Sequence, residues 1–362
     1  MIAMAALAAI ACSNRGPAGD LPREEPSEAL SAAFQTFQDS VAATMTDSLD
    51  IMKMVNLHSI LVVKDGKVVL EKSFSDRWPA EAPHPLFSVS KTFTSAAVGL
   101  AIQEGKLSLD APVAGFFPDK VREDNPCRAT VRDLLMMAGG HATDPTGQVG
   151  TADPMAMTIT LQSGVDIAQV FFDHPFVHEP GTQFCYNSLG TYILSAIVTK
   201  VTGENVLDYL TPRLFTPLGI DKPVWDADDN GVSLGGWGLY LKTEDLAKMG
   251  LLLLQKGKWN GAEILPEGWV DAMSRKQIDC LPAGMTPERL AAMGIPAERN
   301  DWVQGYGYQM WRNSVDGFRA DGAYGQFILV LPEKNAVVVL TAQQADTQKE
   351  LWFFWDYLYP AL

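Results

Sequence analysis

The sequence predicts an α/β fold of the α+β type: an antiparallel sheet built from both ends of the chain, flanked by helices, with a mainly helical domain inserted between its halves. Residues 60–73 (ILVVKDGKVVLEKS) read as two strands joined at Asp65-Gly66, a strong hairpin signal. Near the other end, residues 306–312, 327–331 and 337–341 read as strands, and Pro332-Glu333-Lys334-Asn335 suits a turn between the last two. Between these ends, residues 90–103, 131–137, 190–201, 205–214 and 243–255 carry helical periodicity, with Gly105, Gly203 and Gly257 as stops. Residues 351–358 read as a closing helix. A cleft between sheet and helical region is the expected ligand site.

The expected division is a leader and linker over 1–30, the first part of the α/β domain over 31–100, the helical insertion over 101–300, and the second part of the α/β domain over 301–362. The chain has 362 residues, 47% hydrophobic and 20% charged, which is the profile of a packed globular protein. Acids outnumber bases 43 to 28, for a net charge of -15, so a nucleic-acid partner is excluded on charge.

Residues 1–11 (MIAMAALAAIA) are small and apolar, Cys12 follows, and a polar Pro-containing stretch comes next. This pattern is similar to a bacterial lipoprotein signal, with Cys12 as the lipidated residue, and it implies export to the periplasm or cell envelope. Cys127, Cys185 and Cys280 remain for the domain; their odd number and lack of CxxC spacing argue against zinc or a disulfide framework.

Three segments carry chemistry. Ser88-Val89-Ser90-Lys91 is the only Ser-x-x-Lys in the chain. On a helix start, positions i and i+3 share a face, so hydroxyl and amine can meet. A serine hydroxyl needs a nearby base. Burial and the positive end of the helix dipole both push a lysine towards the neutral amine that can serve as one. Tyr186-Asn187-Ser188 is the second segment, since a tyrosine hydroxyl near a lysine can relay a proton to a leaving group. The third, residues 319–326 (RADGAYGQ), has small residues that allow close backbone approach and an N–H for an oxyanion hole.

In this order the segments resemble the serine β-lactamase and penicillin-binding protein family, in which Ser-x-x-Lys is the first motif. The class C branch, whose second motif begins with Tyr, also holds D-alanyl-D-alanine peptidases, esterases and 6-aminohexanoate-dimer hydrolases. Residues 129–141, 214–220, 235–250, 253–261 and 330–342 extend the resemblance. It implies a β-lactamase/transpeptidase-like fold, Ser88 as nucleophile, Lys91 as base and Tyr186 as proton relay. It further implies Ser188 as a holder of the lysine or substrate, and oxyanion N–H groups from Ser88 and from the strand before Gly322, placed at Ala320. The family's Lys-Thr-Gly is missing: Gly317-Phe318-Arg319 stands there, and Arg319 is the candidate carboxylate partner, unless Asp321 pairs with it.

His141, after Gly139-Gly140, reads mainly as structural. No HExxH, Gly-x-Ser-x-Gly, phosphate loop or dinucleotide fingerprint occurs, so no metal or cofactor is expected. Met52, Met54, Met136 and Met137 read as core filler. The expected activity is hydrolysis of a small ester or amide, including D-amino-acid peptides and β-lactams, through an acyl-enzyme. The alternative is a non-catalytic or singly acylated envelope binding or sensor protein of the same fold.

Overall fold

The computed structural model describes residues 19–46, 55–281, 285–294 and 296–362. Cys12, the candidate lipidation residue, lies outside them, as do Met52 and Met54. Helix α1 (Glu28–Thr46) precedes strands β1 (Leu57–Lys64), β2 (Lys67–Ser73) and the short β3 (His84–Pro85). Then come α2 (Ser90–Gln103), α3 (Val131–Leu135), the hairpin β4 (Gly150–Asp153) and β5 (Thr158–Leu161), and α4 (Ile167–Asp173), α5 (Ser188–Thr202) and α6 (Val206–Leu210). Strands β6 (Val224–Trp225) and β7 (Leu239–Leu241) lead to α7 (Thr243–Leu254), the hairpin β8 (Lys258–Trp259) and β9 (Ala262–Glu263), α8 (Trp269–Ser274) and α9 (Pro287–Ala292). The chain ends with β10 (Trp311–Arg312), β11 (Phe318–Gly322), β12 (Gln326–Leu331), β13 (Ala336–Ala342) and α10 (Thr347–Phe353).

The two ends meet in one antiparallel sheet of order β10-β11-β12-β13-β1-β2. Its seam is the β1–β13 pair, registered at Ile60 with Leu340 and Val62 with Val338. The predicted hairpin turn is formed by Asp65 at φ 52° and Gly66 at φ 80°, the twist that suits a two-residue connection. Alternate residues of the central strands enter two cores. Leu61, Val63, Ile328, Val330, Val337 and Val339 face the larger one with α2, α5 and α7. Ile60, Val62, Phe327, Leu329, Val338 and Leu340 join Leu30, Phe37 and Val41 of α1 and Leu351 and Phe354 near the C-terminus. Both faces are dry, which is why these strands read as unbroken apolar runs and not as alternation.

One expectation changes. Of residues 306–312 only Trp311 and Arg312 form a strand; Gly307 there is pressed against the backbone of Met273 and Arg275. Within residues 101–300, α7 packs on β1, β12 and β13 of the sheet. Gly250 makes that contact possible: a Cβ there would collide with Val337 Cγ1 and lie 2.8 Å from Ile328 Cγ2.

Gly250→Val should therefore overpack the helix–sheet contact and cost about 1–3 kcal/mol, read as a lower Tm. Adding Val337→Ala, which removes the struck methyl groups, should recover part of the loss, a non-additivity expected of touching residues. A Tm equal to wild type in the single variant would show that α7 can slide on the sheet.

Candidate active site

Ser88 lies on a short 3₁₀ turn, Phe87–Val89, that runs directly into α2. Phe87 has φ 47°, a left-handed conformation for a non-glycine residue, and such strain survives only where neighbours over-determine it. Here Ser90 Oγ donates to the Phe87 carbonyl at 2.6 Å, and the Leu86 N–H donates to Leu239 of β7 at 3.0 Å. The Phe87 ring stands edge-on to Tyr324 at 5.1 Å. This elbow turns Ser88, half-buried, towards the start of α5.

Lys91, one turn along, is buried with its Nζ 2.8 Å from Ser88 Oγ. The amine also donates to Ser188 Oγ at 3.0 Å and to the Gly236 carbonyl at 2.7 Å. Burial pulls its pKa down to about 7, against the opposing pull of Asp144 and Asp321. The Gly236 carbonyl gets this close because its residue has no side chain: a Cβ would sit 2.6 Å from the Ser188 carbonyl. Gly235 is equally confined, against Ser195, and its carbonyl accepts from Thr94 Oγ1 at 2.9 Å.

Tyr186 precedes α5, whose N-cap is Asn187; the Asn187 side chain accepts the Gly190 N–H at 3.0 Å. Burial pushes the phenol pKa well up, opposed by a hydrogen-bonding interaction with Ser88. The Lys91 amine lies 4.9 Å from the Tyr186 ring centre. Trp311 stacks on Tyr186 at 5.6 Å and 22°. The strand-like run 184–187 is clipped to Met137, whose carbonyl accepts the Cys185 N–H at 2.7 Å and whose sulfur accepts the Asn187 N–H at 3.3 Å.

Ser88, Lys91, Tyr186 and Ser188 thus converge. His141 has no hydrogen bond with these four: it is buried, its Nδ1 lies 2.7 Å from Asn187 Nδ2, and burial lowers its pKa to about 3. It braces the N-cap of α5. Arg319 does not meet the cleft as a free cation, contrary to its expected role. It is 0% exposed, with Nε and Nη2 each 2.9 Å from Asp321 Oδ2. Ala320 lies inside β11 opposite Ile328, and Gly322, at the end of β11, comes close against the Ser88 segment. A Cβ on Gly322 would strike the Leu86 carbonyl and lie 3.3 Å from Val89 Cγ2. No acceptor among the described residues takes the N–H of Ser88 or of Ala323, the residue after Gly322.

Sequence reasoning gave no role to Gly236, Asp144 or Trp311. Asp144 Oδ2 lies 3.4 Å from the Ser188 nitrogen. The Gly235-Gly236 pair was the available signal, since adjacent glycines before a strand invite close backbone approach.

The family model described as Beta-lactamase matches residues 54–351. The chain is 25% identical over 353 residues to the 6-aminohexanoate-dimer hydrolase of Paenarthrobacter ureafaciens, covering 94% of this chain and 84% of that protein. Among solved structures it resembles EstCE1, a hydrolase with promiscuous acyltransferase activity, with a TM-score of 0.68 at 17% identity, covering 92% of this chain and 100% of that one. The octameric penicillin-binding protein homologue from Pyrococcus abyssi superposes with a TM-score of 0.65 at 20% identity, over 89% of this chain and 77% of that chain. The antiparallel sheet built from both chain ends, the helices around it and the family match over most of the sequence agree: this chain belongs to the Beta-lactamase family, as a hydrolase of that fold.

Proposed function

We propose that the protein hydrolyses small neutral esters or amides through an acyl-enzyme on Ser88. The observation that carries this reading is the buried Lys91 amine, 2.8 Å from Ser88 Oγ and drawn down to about 7. Near neutral pH a large fraction of that amine is unprotonated and can take the serine proton, whereas Tyr186, pushed upward, keeps its own. Two groups driven apart in this way divide the base and acid roles.

Ser88 Oγ bonds to the carbonyl carbon as its proton passes to Lys91. The carbonyl oxygen becomes an oxyanion, for which we assign the Ser88 N–H and, in place of Ala320, the Ala323 N–H. The intermediate collapses by breaking the bond to the leaving oxygen or nitrogen, which receives the Tyr186 proton. Lys91 returns a proton to Tyr186. Water then attacks the acyl carbon, gives up a proton to the same pair, and releases the acid and the Ser88 hydroxyl. Ser188 and the Gly236 carbonyl keep the amine aimed throughout. The names of the 6-aminohexanoate-dimer hydrolase relative and of the hydrolase EstCE1 support a small amide or ester substrate.

Ser88→Ala and Lys91→Ala should each abolish ester turnover and covalent labelling by a fluorophosphonate, with unchanged circular dichroism. Nucleophile and base act as one unit, so the double variant should be no worse than either single one. Labelling without turnover of any ester or amide would favour a singly acylated sensor, and full activity in Lys91→Ala would point to another base.

Simple esters should also be better substrates than cephalosporins. A β-lactam carries a carboxylate beside its scissile amide, and Arg319 is buried against Asp321. Lacking one charge-assisted hydrogen bond costs roughly 1.5–3 kcal/mol, about 10- to 150-fold in binding. A comparison of kcat/KM for a p-nitrophenyl ester and a chromogenic cephalosporin decides it; a faster cephalosporin would refute the reading.

A further inference from the structure

The main chain on either side of Tyr186 is held by Met137, and its half-buried ring is set by its neighbours: Lys91 at 4.9 Å, Tyr306 edge-on at 6.2 Å, and Trp311, the one stacked flat, at 5.6 Å and 22°. Trp311 is also the centre of an aromatic box, edge-on to Tyr306 at 4.9 Å and to Phe184 at 5.6 Å. It stands on β10, a two-residue strand with two registered pairs to β11, a bridge from Trp311 to Tyr306 and a hydrogen bond from the Arg312 N–H to the Gly305 carbonyl. Such pairing fixes the main chain of Trp311 but not the direction of its ring.

Arg319 supplies what the ladder lacks. It is the residue of β11 directly opposite Trp311. Its Nη1 donates to the Arg312 carbonyl at 3.1 Å, to the Asp301 carbonyl at 2.9 Å and to Asn313 Oδ1 at 3.3 Å. Its guanidinium carbon lies 5.8 Å from the Trp311 ring centre and 4.8 Å from that of Trp302. Asp321 fixes the other edge of the fork. A planar guanidinium can bond in its plane and stack on aromatic faces at once, which a lysine cannot.

We propose that Trp311 is a positioning residue that aims the Tyr186 hydroxyl at the leaving group, and that buried Arg319 is the latch that holds Trp311 in place. The inference rests on the proton-donor role proposed above for Tyr186. A misaimed phenol harms the departure of a poor leaving group, which must be protonated, far more than that of a good one, which leaves as an anion.

The test is a series of esters sharing one acyl group, with aryl and alkyl alcohols of graded acidity. The readout is the slope of log kcat/KM against leaving-group pKa. In Trp311→Met the slope should steepen, with the least acidic alcohol losing on the order of tenfold or more relative to p-nitrophenol. Trp311→Phe, which keeps a ring to stack, should restore most of the wild-type slope, and Arg319→Lys should resemble Trp311→Met. Should Trp311→Met not fold, the slope of Arg319→Lys against wild type decides, steeper supporting the proposal and parallel overturning it. A line parallel to wild type in Trp311→Met or in Arg319→Lys, however much lower, would overturn the proposal, because a merely structural loss lowers every ester equally. Tyr186→Phe separates the two readings. If it steepens the slope and the Trp311 and Arg319 variants do not, only this inference fails; if it leaves the slope unchanged, the proton-donor role fails as well.

Discussion

The structure turns on one buried amine. Lys91 is 1% exposed and has three oxygen neighbours, Ser88 Oγ, Ser188 Oγ and the Gly236 carbonyl. An ammonium in such a place is costly unless compensated, and the two carboxylates that act on it, Asp144 and Asp321, do not restore its ordinary pKa. Each oxygen arrives on a different part of the chain: the elbow before α2, the start of α5, and the glycine pair before β7. The position of the amine therefore depends on all three being correctly packed, while its lowered pKa comes from burial.

The same low-dielectric surroundings act in opposite senses on the two groups beside Ser88. Burial drives the lysine pKa down and the tyrosine pKa up, which is the division of acid and base that the proposed mechanism uses. Arg319 takes no part in this as a free charge. Its cation is matched by Asp321, whose own carboxyl is pushed up to about 6 by burial in spite of the pair. A buried pair of this kind adds little net stability; its value lies in geometry, since the fork joins β11 to the main chain of β10 and to residue 301.

Much of this was legible in the sequence. The β1–β2 hairpin announced itself through Asp65-Gly66, and α2 begins and ends where its periodicity said. Ser88 and Lys91 were legible because i and i+3 spacing on a helix is a local property. Helix α1 was not anticipated, although Leu30, Phe37 and Val41 lie on one face of it; the polar, proline-bearing stretch before it masked the pattern. The segment 319–326 was read as one approach to a strand, yet it is β11 plus a turn, and that difference moved the expected oxyanion donor from Ala320 to Ala323. Non-local facts were out of reach: that Arg319 faces inward depends on its pairing opposite Trp311, and that Gly236 matters depends on a helix nearly fifty residues away.

The central claim, that burial makes Lys91 a base at neutral pH, can be measured directly. Lysine ε-carbons labelled with ¹³C can be followed by NMR through a pH titration, with Lys91 assigned by loss of its signal in Lys91→Ala. One resonance should titrate near pH 7, as the burial of this amine requires, well separated from the remaining lysines near about 10.4. A Lys91 resonance that titrates with the others would contradict the account.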